Sequence, residues 1–404
     1  MKTVLIVGTW DTKEDELSYL ASRIGAMGGA VLTMDVSVLG DPSRPADISK
    51  HEVAGAAGAT IAEAASAADE NAAMQIMARG ASALTARLHA EGRIDAMIAL
   101  GGTMGTDLAL DVAQALPLGV PKYIVSTVAF SPLIPAGRLS PDIQMILWAG
   151  GLYGLNGVCR SSLSQAAGAV LGAAGAVEPP APGRPVIGMT SLGSSCLRYM
   201  VHLKAPLGAR GYEVAVFHAT GMGGMAFEAL ARQGRFAAVL DLALPELGNL
   251  MVGSAVNAGE DRLTGARTVP QIVAPGCCDL VDFPGWQDVP DAYADRPFHA
   301  HNRLIKSSAL SPRERRALIG MISERLGAAE APVRFLMPLG GVEEWDRPGE
   351  PAHDPEGLAA MTDEVRRSMS VPVTEVDAHI NDPAFAEAVI AQIDAWRADG
   401  TLPR

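Results

Sequence analysis

Residues 96–106 read AMIALGGTMGT and decide the fold class. The apolar run from Ala96 to Leu100 predicts a strand that is buried on both faces. A glycine-rich turn follows at once, and a helix is predicted to begin near Asp107. A buried strand that turns directly into a helix is the repeating unit of a parallel α/β sheet.

The alternation of strand and helix extends to both sides of this stretch. Further apolar strands are predicted at residues 3–7, 31–36, 186–190, 212–218, 237–242 and 333–337. Residues 178–185 interrupt the pattern with four prolines in eight positions, which predicts a stiff connection between domains. We therefore expect two Rossmann-like α/β domains, residues 1–180 and 184–404, each with a mainly parallel sheet flanked by helices. A helix running through Met200 and a long functional loop over residues 279–302 are also expected.

Charge and composition exclude several classes of partner. The 404 residues carry 32 Lys and Arg against 45 Asp and Glu, a net charge of −13, which disfavours nucleic acid and anionic membranes. Residues 143–177 hold one charge, Arg160, but their many small residues predict a strand, a loop and a packed helix instead of a membrane hairpin. The start of the chain does not resemble a signal peptide. The four cysteines form no CxxC pair, so we expect a cytoplasmic protein.

The glycine-rich turn is the strongest candidate binding motif. Backbone N–H groups at the start of a helix lie at the positive end of its dipole and suit a phosphate group. The predicted phosphate- or nucleotide-binding residues of this loop are Gly101, Gly102, Thr103, Gly105 and Thr106. The spacing is neither a Walker loop nor GxGxxG, although the loop is similar to phosphate loops of diacylglycerol-type and NAD kinases and of iron-dependent alcohol dehydrogenases. A tight turn without a ligand is the alternative.

A second polar cluster follows the first predicted strand. It consists of Thr9, Asp11, Thr12 and Lys13, on the same edge of the predicted sheet as the glycine loop. Lys13 would meet an anionic ligand, Asp11 would hold Mg²⁺ through water, and the hydroxyl groups would orient either one. An ordinary helix N-cap at Asp11 or Thr12 is the alternative.

The second half of the chain repeats the combination of a strand with a glycine-rich helix start. Residues 217–224 read FHATGMGG and predict an anion loop, in which Thr220, Gly221, Gly223 and Gly224 bind the ligand and Arg262 adds positive charge. His218 is a candidate acid or base, with a buried structural histidine as the alternative. The other candidate catalytic residues are Glu246, Asp279 and His301. His299 and His301 would share one side of an extended segment, a spacing compatible with a metal pair, but no metal is assigned.

Taken together, these motifs resemble one family: bacterial and fungal proteins similar to the N-terminal ATP-binding region of the plant tomato mosaic virus resistance protein. The resemblance rests on residues 8–13, 101–106 and 217–224, on Ala258-Gly259 with Asp261-Arg262, and on His301-Asn302 and residues 380–382. It implies two Rossmann-like domains, ATP binding and a homodimer. The plant protein is fused to a TIM-barrel domain, so the resemblance also implies a separate TIM-barrel partner protein.

The sequence departs from that family pattern at Gly151, at residues 243–245, at Asn249 and at the Cys277-Cys278 pair, and two of these departures replace acidic residues. Gly151 stands where an acidic residue is expected, and Asn249 stands where an aspartate is expected. Three functions stay open: an enzyme that uses ATP and Mg²⁺ on a small anionic metabolite between its domains, a metal- or acid/base-dependent lyase or hydrolase of an organic acid, and a non-catalytic protein regulated by a nucleotide. NAD ranks lower, because Asp35 lies within the second strand and not clearly at its end, where a ribose-binding acid is expected.

Overall fold

The computed structural model describes residues 1–178, 183–193, 195–300 and 302–403. The chain divides into two compact units, Met1–Ala181 and Pro182–Arg404. Part of the predicted proline-rich connection, residues 179–182, lies outside the described residues, as does His301. Both units are α/β structures with parallel sheets flanked by helices, so the predicted fold class is confirmed.

The N-terminal unit alternates strands and helices along the chain. Its elements are β1 (Thr3–Gly8), α1 (Trp10–Ala26), β2 (Ala30–Asp35), α2 (Lys50–Ala56), α3 (Ile61–Ala65), α4 (Glu70–Ala90), β3 (Ala96–Gly101), α5 (Thr103–Gln114), β4 (Lys122–Ser126), β5 (Ile143–Leu147) and α6 (Gly157–Ala176). The last two confirm the strand and small-residue helix expected within residues 143–177.

The five strands of this unit form one parallel sheet in the order β2-β1-β3-β4-β5. Strands β3 and β4 are buried throughout because helices cover both faces, which explains the unbroken apolar run from Ala96 to Leu100. Strand order reverses between β1 and β3, because β2 lies on one side of β1 and all later strands lie on the other. Ligands of open α/β sheets bind at the carboxyl ends of the strands at such a switch point.

The C-terminal unit contains a second parallel sheet and a small antiparallel one. Its elements are β6 (Val186–Ser191), α7 (Arg198–Ala209), β7 (Glu213–His218), α8 (Met222–Arg232), β8 (Ala238–Ala243), α9 (Pro245–Met251), β9 (Gln271–Gly276), β10 (Leu280–Pro284), β11 (His299–Ala300), β12 (Ile305–Ala309), α10 (Pro312–Gly327), β13 (Val333–Pro338), α11 (Pro355–Ser368), β14 (Val373–Val376) and α12 (Pro383–Asp399).

The six-stranded sheet of this unit has the order β14-β13-β9-β8-β6-β7 and is parallel. Its winding repeats that of the first unit: the second strand flanks the first on one side, and the later strands follow on the other. The switch point here lies between β6 and β8. The two halves therefore share an architecture, although no sequence repeat is found between them.

Three predicted elements differ from the structure. Helix α5 begins at Thr103, four residues before the predicted start, so the last glycine of the loop already belongs to the helix. Helix α7 begins only at Arg198, because Leu192 and Cys196 pair in an antiparallel bridge before it. The predicted loop over 279–302 contains β10 and β11, which pair with β12 as an antiparallel sheet.

The last predicted helix is confirmed as α12, which begins at Pro383 after the N-cap Asp382 and buries Phe385, Val389, Ile393 and Trp396. Among the described residues, no helix is both long enough and apolar enough to span a membrane.

Candidate functional site

The largest described cavity lies at the switch point of the N-terminal sheet and has a volume of about 760 Å³. Both polar clusters of this half of the sequence line it. From the end of β1 come Thr9, Asp11, Thr12 and Lys13, and from the end of β3 come Gly101, Gly102, Thr103, Met104 and Gly105. Because β1 and β3 are hydrogen-bonded neighbours, segments about 90 residues apart in sequence meet at one edge of the sheet.

The start of α5 offers backbone donors to this cavity. Gly102 is its N-cap residue and supplies no side-chain acceptor. Within the described part of the chain, no acceptor lies within hydrogen-bond distance of the N–H groups of Thr103, Met104 and Gly105. Three neighbouring donors thus lie at the positive end of a helix that is 12 residues long, an arrangement that favours an anion.

The two leading glycines of this loop have different structural roles. A Cβ atom on Gly101 would lie 2.7 Å from the Cα atom of Gly105, so only glycine lets the strand approach the helix so closely. A Cβ atom on Gly102 would meet nothing nearer than the Thr127 hydroxyl at 3.9 Å. Gly101 is therefore required by packing, whereas Gly102 borders open space in the cavity wall.

Thr106 does not belong to the cavity, contrary to prediction. Its side chain is buried, and its hydroxyl oxygen lies 2.7 Å from the hydroxyl oxygen of Ser126 at the end of β4. The reason is the earlier start of α5, which turns Thr106 toward the sheet. Thr106 fastens the first turn of the helix to β4 instead of donating to a ligand.

Lys13 supplies the positive charge of the cavity. Among the described lining residues it is the one Lys or Arg, and its ammonium lies 4.7 Å from the centre of the Tyr153 ring. Beside it, the hydroxyl oxygens of Thr9 and Thr12 lie 3.1 Å apart. The backbone of Lys13 is not helical (φ −127°, ψ 22°), so α1 is kinked where it borders the cavity.

Two carboxylates at the carboxyl edge of the sheet, Asp11 and Asp35, accept hydrogen bonds from the loop that follows β2. Asp11 accepts a hydrogen bond of 3.1 Å from the backbone N–H of Gly40, and its own N–H donates to the Ser37 hydroxyl. Asp35 ends β2, where it is buried and accepts from Trp10 N–H and from both the N–H and hydroxyl of Ser37. The structure corrects the predicted position of Asp35, which ends β2 and does not lie within it. Its carboxylate is engaged by Trp10 and by the loop that follows the strand.

The opposite wall of the cavity is largely apolar. It is formed by Val38, Leu39, Ala64, Ala65, Ala67, Ala73 and Met74. Two acidic residues, Asp69 and Glu70, stand at its border, and Asp69 caps α4 by accepting from Ala72 N–H at 2.7 Å. One side of the cavity therefore suits an anion and the other suits a flat apolar group.

The glycine-rich start of α8 is filled by a side chain of the protein itself. The Oε1 atom of Glu246 accepts hydrogen bonds from the N–H groups of Gly221 at 2.6 Å and of Gly224 at 3.2 Å. A Cβ atom on Gly224 would lie 2.0 Å from Glu246, and one on Gly223 would lie 1.9 Å from the carbonyl oxygen of His218. Packing accounts for these glycines, so the structure corrects their predicted anion-binding role.

Arg262 is likewise occupied inside the protein. Its fully buried guanidinium bonds to Asp241 at 2.5 and 2.7 Å, to Glu246 at 2.7 Å and to Glu228 at 2.9 Å. Burial raises the pKa of both Glu228 and Glu246, and Arg262 opposes that rise. Arg262 and Glu246 are thus parts of a buried ionic network. Contrary to the prediction, neither side chain is exposed to a ligand or a substrate.

Asp279 is fully buried after β9, and sequence analysis did not foresee its partner. Within the described residues, neither carboxylate oxygen of Asp279 nor the Oε1 atom of Glu343 has a hydrogen-bond donor. Burial raises the pKa of Asp279 to about 7. Burial, and then the charge of Asp279, raise the pKa of Glu343 to about 9. Glu343 therefore holds its proton at neutral pH and Asp279 titrates there, in contrast with ordinary surface carboxylates, which are ionised.

His218 borders a second, smaller cavity of about 140 Å³ at the carboxyl edge of the C-terminal sheet. Its ring is exposed, and its Nδ1 atom accepts from Gly193 N–H at 3.3 Å, so the neutral ring carries its proton on Nε2. Thr220 also lines this cavity. His299 lies in β11 with its ring 4.6 Å from that of Trp345, whereas the predicted catalytic residue His301 lies outside the described residues. No cluster of three metal-ligating side chains occurs in the described part of the chain.

Sequence analysis did not foresee the antiparallel sheet that brings Asp282 and Ser307 to this second cavity. Asp282 and Ser307 sit opposite each other on β10 and β12, and the Ser307 hydroxyl donates to Asp282 at 2.6 Å. The available signal was a single aspartate, Asp282, within the otherwise apolar residues 280–284. Asn249, noted as a departure from the family pattern, donates to the Val256 carbonyl and accepts from Asp282 N–H, a pairing that uses both ends of its amide.

The fold and the cavities define a two-domain, doubly wound α/β protein with a cavity at the switch point of its N-terminal sheet. The chain belongs to the UPF0261 family: residues 2–179 match "Uncharacterised protein family (UPF0261) N-terminal domain", and residues 184–397 match the corresponding C-terminal domain. A UPF0261 protein of Brucella suis biovar 1 (strain 1330) is 55% identical over 403 residues, covering 99% of this chain and 96% of the relative.

Two more distant relatives extend this comparison. A UPF0261 protein of Clostridium tetani (strain Massachusetts / E88) is 34% identical over 399 residues, covering 97% of this chain and 98% of the relative. The ToMV resistance protein Tm-1(GCR237) of Solanum lycopersicum is 28% identical over 422 residues, covering 96% of this chain and 55% of the tomato protein. The resemblance inferred from the motifs is thereby confirmed.

Proposed function

We propose that the N-terminal domain binds a nucleotide, with ATP as the first candidate, in the cavity between the ends of β1 and β3. One observation carries this proposal: Lys13 and the three N–H donors at the start of α5 line a single cavity of about 760 Å³ at a switch point. A cation and an open helix start together favour a phosphate chain over a neutral ligand.

The remaining walls agree with the other parts of a nucleotide. The small apolar residues Ala64, Ala65, Ala67 and Ala73, with Met74, leave room for a flat base. Asp11 borders the same cavity and would hold Mg²⁺, which needs only one or two carboxylates beside substrate phosphates and water. Mg²⁺ would neutralise phosphate charge, and Lys13 would orient the phosphate chain.

In this proposal the nucleotide serves a reaction on a small anionic metabolite. Arg262 does not bind that metabolite, because internal carboxylates occupy its guanidinium. A lyase or hydrolase is the second candidate, supported by an exposed His218 at the carboxyl edge of the sheet. A non-catalytic nucleotide-regulated protein is the third.

The proposed assembly rests on the family resemblance, and the proposed location rests on the pattern of the four cysteines. We propose a cytoplasmic homodimer that works with a separate TIM-barrel protein. Light scattering on the purified chain tests the dimer, and co-purification of a TIM-barrel protein with the tagged chain tests the partner. A monomeric mass at micromolar concentration would contradict the dimer.

Calorimetric titration with ATP, ADP, NAD and inorganic phosphate, each with and without Mg²⁺, tests the nucleotide proposal. We expect ATP to bind with Mg²⁺ and Lys13→Gln to weaken it. Absence of heat with every nucleotide, together with an unchanged melting temperature, would contradict nucleotide binding. Activation by a divalent ion with no nucleotide response would favour the lyase candidate instead.

A further inference from the structure

The two parallel sheets end in four edge strands within the part of the chain that the structure describes: β2, β5, β7 and β14. An open edge presents unpaired N–H and C=O groups on which another strand can pair, so proteins usually cover such an edge or place charges on it. Three of these four edges are protected in this way. Residues 47–48 bond to the outer side of β2, Glu213 lies on β7, and Glu375 lies on β14, where Arg366 pairs with it.

Strand β5 has none of these protections. It contains no charged residue, no proline and no bulge, since its pairing with β4 runs without interruption. The N–H of Trp148 donates to the Ser126 carbonyl of β4, so in this parallel ladder the even-numbered residues of β5 bond to β4. The N–H and C=O groups of Met145 and Leu147 therefore point away from the sheet, and no described strand pairs with that side.

The side chains of β5 leave apolar surface in contact with water. Strand β4, one position further in, is buried throughout, whereas no side chain of β5 is fully buried and Leu147 is 49% exposed. Met145 packs against the apolar core on one face of the sheet, and Ile146 packs against the core on the other face. A further strand beside β5 would remove this apolar surface from water, and that burial favours its docking.

The charge of this region favours a second copy of the chain as the source of that strand. A two-fold axis brings identical surfaces together, so a charge on the shared edge would face its own copy and repel it. Although the chain has a net charge of −13, no residue between Asp142 and Arg160 is charged, and Asp142 is paired with the buried Lys122. The edge is thus complementary to itself and needs no strand from another protein.

From these observations we infer that two copies of the chain pair through β5 in antiparallel orientation and join their five-stranded sheets into one continuous sheet. The free backbone groups set the register. Because the N–H of Ile143 already donates to the Ser140 carbonyl, Met145 of each copy exchanges hydrogen bonds with Leu147 of the other, and the axis passes at Ile146. This inference rests on the proposed homodimer and deepens it by naming the surface that forms it.

The variant Ile146→Cys tests this register. Residues directly opposite each other at a non-hydrogen-bonded position have Cα atoms about 4.5 Å apart, which a disulfide can span. With oxidised glutathione, the two new thiols would form one disulfide while the reagent is reduced to two glutathione thiols. We expect a covalent dimer on non-reducing electrophoresis, and none from the wild type, whose four cysteines are buried.

Gln144→Cys is the matched control for this crosslink. Gln144 is exposed and lies on the same strand, but the proposed register places it roughly 13 Å from its own copy, which is too far for a disulfide. We therefore expect Gln144→Cys to stay uncrosslinked under the conditions that crosslink Ile146→Cys.

Leu147→Pro tests the backbone pairing in solution. The N–H of Leu147 points away from β4, so its loss leaves the ladder with β4 intact but blocks pairing across the axis. Leu147→Ala keeps this N–H and is the matched control. By light scattering at micromolar concentration, we expect a dimer mass for the wild type and Leu147→Ala, and a monomer mass for Leu147→Pro. A circular dichroism melt verifies that Leu147→Pro is folded.

A dimeric wild type whose Ile146→Cys variant forms no crosslink would overturn the inference and leave the homodimer standing, and so would a folded Leu147→Pro that stays dimeric. If Leu147→Pro does not fold, the crosslink alone decides. A monomeric wild type would overturn both the surface and the homodimer. None of these measurements uses ATP, so failure of the nucleotide proposal is distinguishable from failure of this surface.

Discussion

The Oε1 atom of Glu246 accepts a hydrogen bond of 2.6 Å from the backbone N–H of Gly221. This contact separates two glycine-rich helix starts that look alike in sequence. At α8 an internal carboxylate occupies the positive end of the helix, whereas at α5 the corresponding N–H groups face a cavity. The fold thus uses one such motif for its own stability, and we propose that the other binds a ligand.

The buried ionic network of Glu246 and Arg262 predicts that Glu246→Ala is much less stable than the wild type but still binds the nucleotide. Glu246→Ala leaves Arg262 buried with one fewer partner, so we expect the free energy of unfolding to fall by about 3–5 kcal/mol. Denaturant unfolding measures this fall. Glu330→Ala, whose salt bridge to Arg267 is exposed, is the control and should cost less than about 1 kcal/mol. An equally small loss for both variants would contradict the assigned network.

Gly101→Ala predicts a packing defect in the N-terminal domain. The new methyl group would lie 2.7 Å from the Cα atom of Gly105, so either strand or helix must shift. We expect a loss of about 1–3 kcal/mol, measured by urea unfolding. Gly102→Ala is the matched control, since its methyl group meets no atom closer than 3.9 Å. Equal stability of the two variants would contradict the described contact.

The charge of Lys13 predicts selectivity for phosphate. Lys13→Gln removes the one cation among the described cavity residues, so we expect about tenfold weaker ATP binding and little change for adenosine. Calorimetric titration of both ligands gives the comparison. Lys2→Gln, which breaks an exposed pair with Asp95, should leave both affinities unchanged. An equal loss of affinity for ATP and for adenosine would contradict a contact between Lys13 and the phosphates.

The buried acid Asp279 predicts a fold that is more stable in mild acid than in mild base. Its folded pKa of about 7 exceeds its ordinary value of 3.8, so only the folded chain holds this proton between those pH values. Stability is therefore full at low pH and is lost as the pH rises toward about 7. Glu343, with a pKa of about 9, continues the loss in base. Arg315 opposes this effect, and Asp346 and Asp354 add to it.

Melting temperatures between pH 5 and pH 9 measure this dependence, and Asp279→Asn should flatten it because the amide does not titrate. For a domain of 150–250 residues, which includes the size of the C-terminal unit, each change of 1 kcal/mol in the free energy of unfolding shifts the melting temperature by roughly 2–4 °C. A wild-type curve that rises through neutral pH, or an unchanged curve for Asp279→Asn, would contradict the protonated state of this acid.

Local apolar runs were sufficient to predict the parallel sheets. The unbroken apolar run from Ala96 to Leu100 predicts a strand covered on both faces, and Gly101 predicts the tight turn after it. The same reasoning placed Lys13 beside Gly102, because parallel strands bring their carboxyl ends to one edge. The first cavity could therefore be predicted from residues far apart in the chain.

Long-range side-chain pairing could not be predicted in the same way. Glycines at 221 and 224 have the same sequence signature whether a ligand or Glu246 receives their N–H groups. Nothing local to Arg262 shows that it meets carboxylates from three separate segments. The short antiparallel strands β10 and β12 place Asp282 beside Ser307. Sequence analysis did not predict these strands, because the surrounding prolines and aspartates are typical of a loop.

The most direct test of nucleotide binding compares the wild type with Gly102→Val by calorimetric titration of ATP and Mg²⁺. We expect the wild type to bind ATP, and at about one hundred times its Kd the ligand should add roughly 2.7 kcal/mol of stability. We expect Gly102→Val to melt within a few degrees of the wild type without ligand yet to bind no ATP, because its side chain extends into the cavity at the start of α5. Equal ATP binding by both proteins would contradict the assignment of this loop to the phosphates.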